Sequence, residues 1–149
     1  IVTKTAIVAS DWVLVPAKPD YLSTLGISYL TRNLNQLVAE YNEFAAVAGG
    51  DDVEPITPSV LGVLFTMVQF RSEQPISAHR TPMNQTKALE NVPVFENYIR
   101  ENKTAFGEAP ESQLPVVLTH YTNKTHSKIV DELEAVAKEF EDKLGAEDE

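Results

Sequence analysis

The chain has no cysteine among its 149 residues. That removes disulfide frameworks, thiolate metal sites and a cysteine nucleophile, and it fits a reducing compartment. No apolar run approaches the ~20 residues a membrane helix needs, and the first residues lack the pattern of a secretory leader. The six glycines never fall as G-x-x-x-x-G-K-[ST] or G-x-G-x-x-G, so neither familiar phosphate-cradling loop is present. Basic residues are scarce: 12 Lys and Arg stand against 22 Asp and Glu, a net charge of −10. This argues against a free-standing nucleic-acid binder, because neutralising phosphates needs a basic footprint.

What is present is ordinary globular material. Hydrophobic residues make up 43% and charged residues 23%, enough for one domain with a real core. The expectation is a single unit over residues 1–149, with 145–149 a frayed acidic tail. The chain begins with Ile and opens in IVTKTAIVAS, so it is expected to be the later part of something longer. Charge is uneven: residues 1–70 carry −4, residues 71–128 carry +1 with all three histidines, and residues 129–149 carry −7. A local basic face in the middle third is therefore compatible with the overall acidity.

The stretch DWVLVPAKPDYLSTLGISYL begins with a strand over Asp11–Ala17, preceded by the last turns of a helix. Val13, Leu14 and Val15 form a continuous β-branched and apolar run of buried-strand type. Lys18-Pro19-Asp20 breaks it, and Asp20 is placed to cap a helix over Tyr21–Ala48. In that helix Leu22, Leu25, Leu30, Leu34, Leu37, Val38, Tyr41, Phe44 and Ala45 recur at three- and four-residue steps, and Gly49-Gly50 stops it. SVLGVLFTMVQ reads as a strand buried on both faces, with Gly62 allowing close packing. RSEQPISAHRTP reads as an irregular connection, Met83–Asn91 as a short helix and VPVFENYI as a further strand. ENKTAFGEAPESQL reads as loop, PVVL as a short strand or extended segment, and HYTNKTHS as a polar linker. A closing helix over Ser127–Leu144 carries Ile129, Leu133, Val136, Ala137, Phe140 and Leu144 on one face. Strands alternating with helices indicate α/β architecture with a parallel sheet.

Taken one by one, the polar residues make no complete catalytic site. His120 and His126 have no third ligand at matched spacing. Asp11 is best read as a turn aspartate, and Ser23 and Thr24 lack the strained turn that exposes a nucleophile. The N-x-T sequons at Asn84, Asn102 and Asn123 fit chance occurrence in a cysteine-free chain.

The order of segments carries more than any residue alone. D-W-V-L-V-P-A-K-P-D-x-L-S-x-x-G-I is followed by L-G-V-L-F-T-M-V-Q-F-R, then V-F-E-N-Y-I-R-E-N, then A-F-G-E-A-P-E-S-x-L-P-V. This succession, spanning nearly the whole chain, resembles the C-terminal half of ParA-type ATPases, the deviant-Walker-A partition proteins related to MinD. The resemblance implies a partial doubly wound (Rossmann-like) parallel sheet of a P-loop NTPase, with the N-terminal phosphate-loop half absent. It implies that adenine lies between Thr66, Met67 and Val68 on one side and Ile99, Arg100 and Glu101 on the other. It puts Pro16, Lys18 and Asp20 in a loop beside the switch region and the dimer partner; on their own, Lys18 and Asp20 read as a turn and a helix cap.

In such ATPases basic residues on this side of the dimer bind DNA without sequence preference, a role open here to Arg71, Arg80, Lys87, Arg100 and Lys103. A solvated structural set of charges reads equally well. The complete protein is expected to use ATP and Mg²⁺, to form a nucleotide-dependent homodimer and to meet a centromere-binding partner in the cytoplasm at the nucleoid. The 149 residues alone are expected not to hydrolyse ATP, since phosphoryl transfer needs the phosphate loop and its metal. Two departures stand out: Gln69 replaces the family's usual aspartate, and the loop arginine has only Lys103 as a candidate match. The alternatives are a MinD-like ATPase positioning cargo at a membrane or pole, and a truncated non-catalytic binding module. The acidic polar face of the last helix weighs against membrane insertion. An exposed sheet edge is also expected, open to self-association.

Overall fold

A computed structural model describes residues 2–49, 53–118 and 124–145. Helix α1 (Val2–Val8) leads into strand β1 (Trp12–Ala17), which is followed by helix α2 (Tyr21–Gly49) and strand β2 (Ser59–Phe65). Next come the two-residue strands β3 (Phe70–Arg71) and β4 (Gln74–Pro75), then helices α3 (Ser77–Lys87) and α4 (Lys103–Ser112). A 3₁₀ turn over Val116–Leu118 and helix α5 (Lys124–Gly145) complete the described chain. The fold is mixed α/β, built on a small parallel sheet of β1 and β2. Among the described residues no helix is long and apolar enough to cross a membrane.

The register explains how β2 can be buried on both faces. Val13 pairs with Val60 and Leu14 with Gly62, so Leu61 is an inserted residue, and the alternation resets there. Val15, Ala17, Val63 and Phe65 then share one face with Ile27 of α2 and Met83 of α3. Leu61, Leu64 and Phe95 form the opposite core, against Trp12 and against Val136 and Leu144 of α5. A third cluster joins Ala105 of α4, Val116 and Ile129 of α5. Strand β1, in contrast, is buried on one side only: Leu14 and Pro16 are exposed while Val15 and Ala17 are buried. The uninterrupted apolar run had indicated burial on both. The outer edge of β1 pairs with no strand among the described residues, and this is where Pro16 costs no ladder bond.

Gly62 is required by close approach. A Cβ there would lie 2.9 Å from two carbons of the Phe95 ring, which is itself 1% exposed. The Gly62→Ala protein is therefore expected to lose about 1–3 kcal/mol through overpacking, read as a lower urea midpoint at unchanged slope. A midpoint equal to that of the parent chain would show that the ring does not sit over β2.

Several expected elements differ. The segment read as a strand over VPVFENYI follows β2 in two short pieces. Near its start Val63 N–H donates to Pro93 O (2.8 Å) and Phe95 N–H to Val63 O (2.9 Å). Further on, Ile99 N–H donates to Phe65 O (2.9 Å), Val68 N–H to Ile99 O (3.1 Å) and Glu101 N–H to Val68 O (2.9 Å). Between them the N–H groups of Glu96 and Asn97 turn to the carboxylate of Glu139 in α5, at 2.8 and 2.9 Å. Burial would raise the Glu139 carboxyl, but these N–H groups, the Asn97 side chain and Lys143 outweigh it and hold its pKa below the ordinary value.

The helix expected at Met83–Asn91 begins earlier, at Ser77, carries Pro82 within it and ends at Lys87. The supposed loop after Asn102 is helix α4, whose first turn is capped by the Asn102 side chain accepting from Ala105 N–H at 2.9 Å. PVVL is a 3₁₀ turn rather than a strand. Helix α2 matches its expected span, yet only Ile27 and Leu34 are buried on it. Leu22 (76% exposed), Leu25, Phe44 and Val47 (85%) face solvent. The apolar stripe is wider than the surface that covers it. His120, Asn123 and the tail at 146–149 lie outside the described residues, as does the side chain of His126.

Candidate functional site

Parallel strands present ligands with the region just beyond their carboxyl ends. There β2 gives way at Thr66, whose N–H still donates to Ala17 O at 2.9 Å. Met67 then takes a left-handed backbone, φ 56°, and is 51% exposed. Such a conformation is uncommon for a bulky residue and marks a position fixed by its surroundings. Val68 returns to the core, fully buried, and pairs with the segment around Arg100.

This turn leaves a cavity of about 380 Å³ lined by Thr66, Met67, Ile99, Arg100, Glu101, Asn102, Lys103 and Phe106. Met67, Ile99 and Phe106 give it apolar walls. Glu101 has one carboxylate oxygen occupied by the Gln69 side-chain amide at 2.6 Å. Asn102 is the α4 cap, so the first turn of that helix opens at the cavity. Lys103 is exposed, and no ion pair among the described residues takes its ammonium.

Arg100 borders the cavity, but its guanidinium is committed elsewhere. It grips Glu132 of α5 with Nε at 2.9 Å from both carboxylate oxygens and Nη2 at 2.5 Å, and it stacks 4.4 Å above the Phe70 ring. Hydrogen bonding to Glu132 raises its pKa further above the ordinary value. What Arg100 offers a ligand is therefore backbone and stem.

Of the six residues expected around a base, Thr66, Met67, Ile99, Arg100 and Glu101 line this one cavity, while Val68 lies beneath it as core. Phe106 and Asn102 were not anticipated. The cap signal, Asn102 three residues before Ala105, was legible but masked by Gly107 and Pro110.

Of the three residues expected in a loop beside the switch region, Pro16 lies instead within β1, paired with Leu64, and only Lys18 and Asp20 follow the strand, at the same carboxyl end of the sheet. Asp20 N–H donates to Lys18 O at 2.8 Å, and its carboxylate accepts from Ser23 N–H at 2.8 Å, capping α2. That bond, with the Ser23 hydroxyl and Lys18, holds the Asp20 pKa below its ordinary value. The five basic candidates are not equivalent. Lys87 pairs with Glu96 at 2.5 Å, Arg100 pairs with Glu132, and Arg80 reaches Gln74 at 3.4 Å. Arg71 and Lys103 stay exposed, outside the ion pairs of the described residues. Among the described residues no group of three or more His, Asp or Glu side chains is placed to hold a metal ion.

No protein-family model matches the chain, and no curated protein matches it.

Proposed function

We propose that the chain is the base-recognition half of a ParA-like, P-loop ATPase of doubly wound α/β fold, which couples ATP-dependent dimerisation and hydrolysis to partitioning of chromosome or plasmid DNA. The observation that supports this reading is the convergence of five residues from two segments, chosen by motif order, on one cavity. Its volume of about 380 Å³ lies within the range of small-molecule sites. The residues fit a purine: Met67 offers a polarisable wall, Phe106 an aromatic face, and Glu101 an acceptor at the rim. Lys103 and the first turn of α4 supply positive potential near the mouth. ATP, once bound with Mg²⁺, supplies the phosphoanhydride whose cleavage resets the dimer. In this proposal the phosphate loop and metal ligands come from residues upstream of Ile1. The residues in hand bind and orient the base, keep water from one of its faces, and tie it to the Lys18–Asp20 loop.

Two measurements test the reading. ATP turnover is compared for the 149 residues and for the chain extended upstream by about 100–150 residues. The expected result is an inactive short chain beside an extension whose turnover rises with nonspecific DNA. Turnover by the short chain would mean that a complete site was overlooked, and silence from both would favour a non-catalytic binding module. Within the cavity, Met67→Asp is expected to weaken binding of a fluorescent ATP analogue by about tenfold or more. The left-handed backbone at Met67 suits aspartate, so the fold should persist. Unchanged affinity would remove Met67 from the site.

A further inference from the structure

His79 is the one histidine whose side chain is described, and it is only 7% exposed in the first turns of α3. Its Nδ1 accepts the backbone N–H of Gln69 at 3.1 Å. The ring hydrogen of the neutral form is therefore on Nε2. No described group bonds Nε2, and among the described residues no buried side-chain nitrogen or oxygen lacks a partner, so Nε2 is the edge that meets solvent.

Gln69 is held from three directions. Its N–H goes to His79, its C=O accepts from Ile76 N–H at 2.9 Å, and its side chain donates to Glu101 at 2.6 Å. One residue thus connects the start of α3 to a wall of the cavity. We propose that His79 is a positioning residue of the cavity: in its neutral form it fixes Gln69, whose amide in turn aims the Glu101 carboxylate at the amino group of a bound heteroaromatic base. Its second oxygen, Oε1, is the acceptor left for the ligand.

Protonation undoes this arrangement, because an imidazolium has a donor at both nitrogens and Nδ1–H would face Gln69 N–H. The groups acting on His79 come from each neighbouring segment. Burial and then Lys18 disfavour the cation, Asp20 and Glu101 favour it, and the balance holds the pKa below the ordinary 6.5. Since the unfolded chain takes up this proton first, stability is full above pH 6.5 and declines as pH falls toward the folded pKa.

The ligand part rests on the nucleotide reading; the link from His79 through Gln69 to Glu101 does not. The test is an amide NMR titration of the 149-residue chain from about pH 8 to about pH 5, with a fluorescent ATP analogue titrated across the same range. The backbone and side-chain amides of Gln69 and the amide of Glu101 are expected to shift with one midpoint, that of the His79 ring, below 6.5. Affinity for the analogue is expected to fall about fivefold through that midpoint. It should stay level in His79→Asn, whose amide oxygen can accept from Gln69 without titrating. Glu101 and Gln69 amides that ignore the His79 titration would overturn the proposal, and the parent chain alone can give that answer. Coupled shifts without nucleotide binding at any pH would sink the nucleotide reading and leave the positioning link standing.

Discussion

Replacing Phe95 with alanine is expected to cost about 3–5 kcal/mol. The ring is 1% exposed and meets Leu61 and Leu64 of β2, with Trp12, Ile99, Val136 and Leu144 around it. It also fills the space left by the missing side chain of Gly62 and lies beneath the Lys143 ammonium, 5.1 Å from the ring centroid. Removing it opens a cavity at the junction of β2, the 92–101 segment and α5. Small domains hold only about 5–15 kcal/mol in total, so much of the margin would go. Phe95→Leu, which keeps most of the volume, is expected to cost less than about 1.5 kcal/mol. Chemical denaturation of both proteins separates the cases, and a loss below about 1 kcal/mol for alanine would contradict this packing.

The second large effect concerns Arg100. Its side chain and that of Glu132 are 15% and 20% exposed, so the pair is only partly hydrated. Arg100→Ala would leave Glu132 half-buried without its partner and strip the cation from the face of Phe70. The expected loss is about 2–3 kcal/mol, below the 3–5 kcal/mol of fully buried pairs because some water reaches both groups. Lysine should recover little, since it can neither bridge both oxygens nor stack. A double-mutant cycle with Glu132→Gln should show strong coupling. If Arg100→Ala instead left the melting temperature unchanged and weakened only DNA association, the guanidinium would be a free DNA contact and the pair with Glu132 incidental. Lys103 and Arg71, exposed and outside the described ion pairs, are the better candidates for such a contact.

Local pattern was a sound guide wherever an element is fixed by its own residues. Strand β1, helix α2, the start of β2 and helix α5 could all be read from apolar spacing and from Asp20 as a cap. Elements fixed from a distance were not legible. The 92–101 segment breaks at Glu96 because a carboxylate 43 positions further along the chain draws its N–H groups away from β2. Helix α3 starts among Ser77, His79, Arg80 and Pro82, which look like turn residues, but Met83 and Thr86 are buried and anchor it. The strand read through Thr66–Gln69 ends instead at Phe65, since Met67 must turn left-handed before Val68 can re-enter the core. For the cavity, motif order selected the two segments that meet, while Phe106 escaped because α4 was read as loop. The link from His79 to Glu101 could not be read at all: it runs through the backbone N–H of Gln69, which has no signature in sequence.

The proposed seating of the base of ATP in the cavity beside Met67 is open to photolabelling. The chain is irradiated with 8-azido-ATP and digested, and the modified peptides are sequenced by mass spectrometry. Label is expected on the peptides containing Met67 and Ile99–Phe106, suppressed by unlabelled ATP and by Met67→Asp. Label confined to other surfaces, such as the groove between α1 and α2, or label that ATP does not suppress, would contradict it.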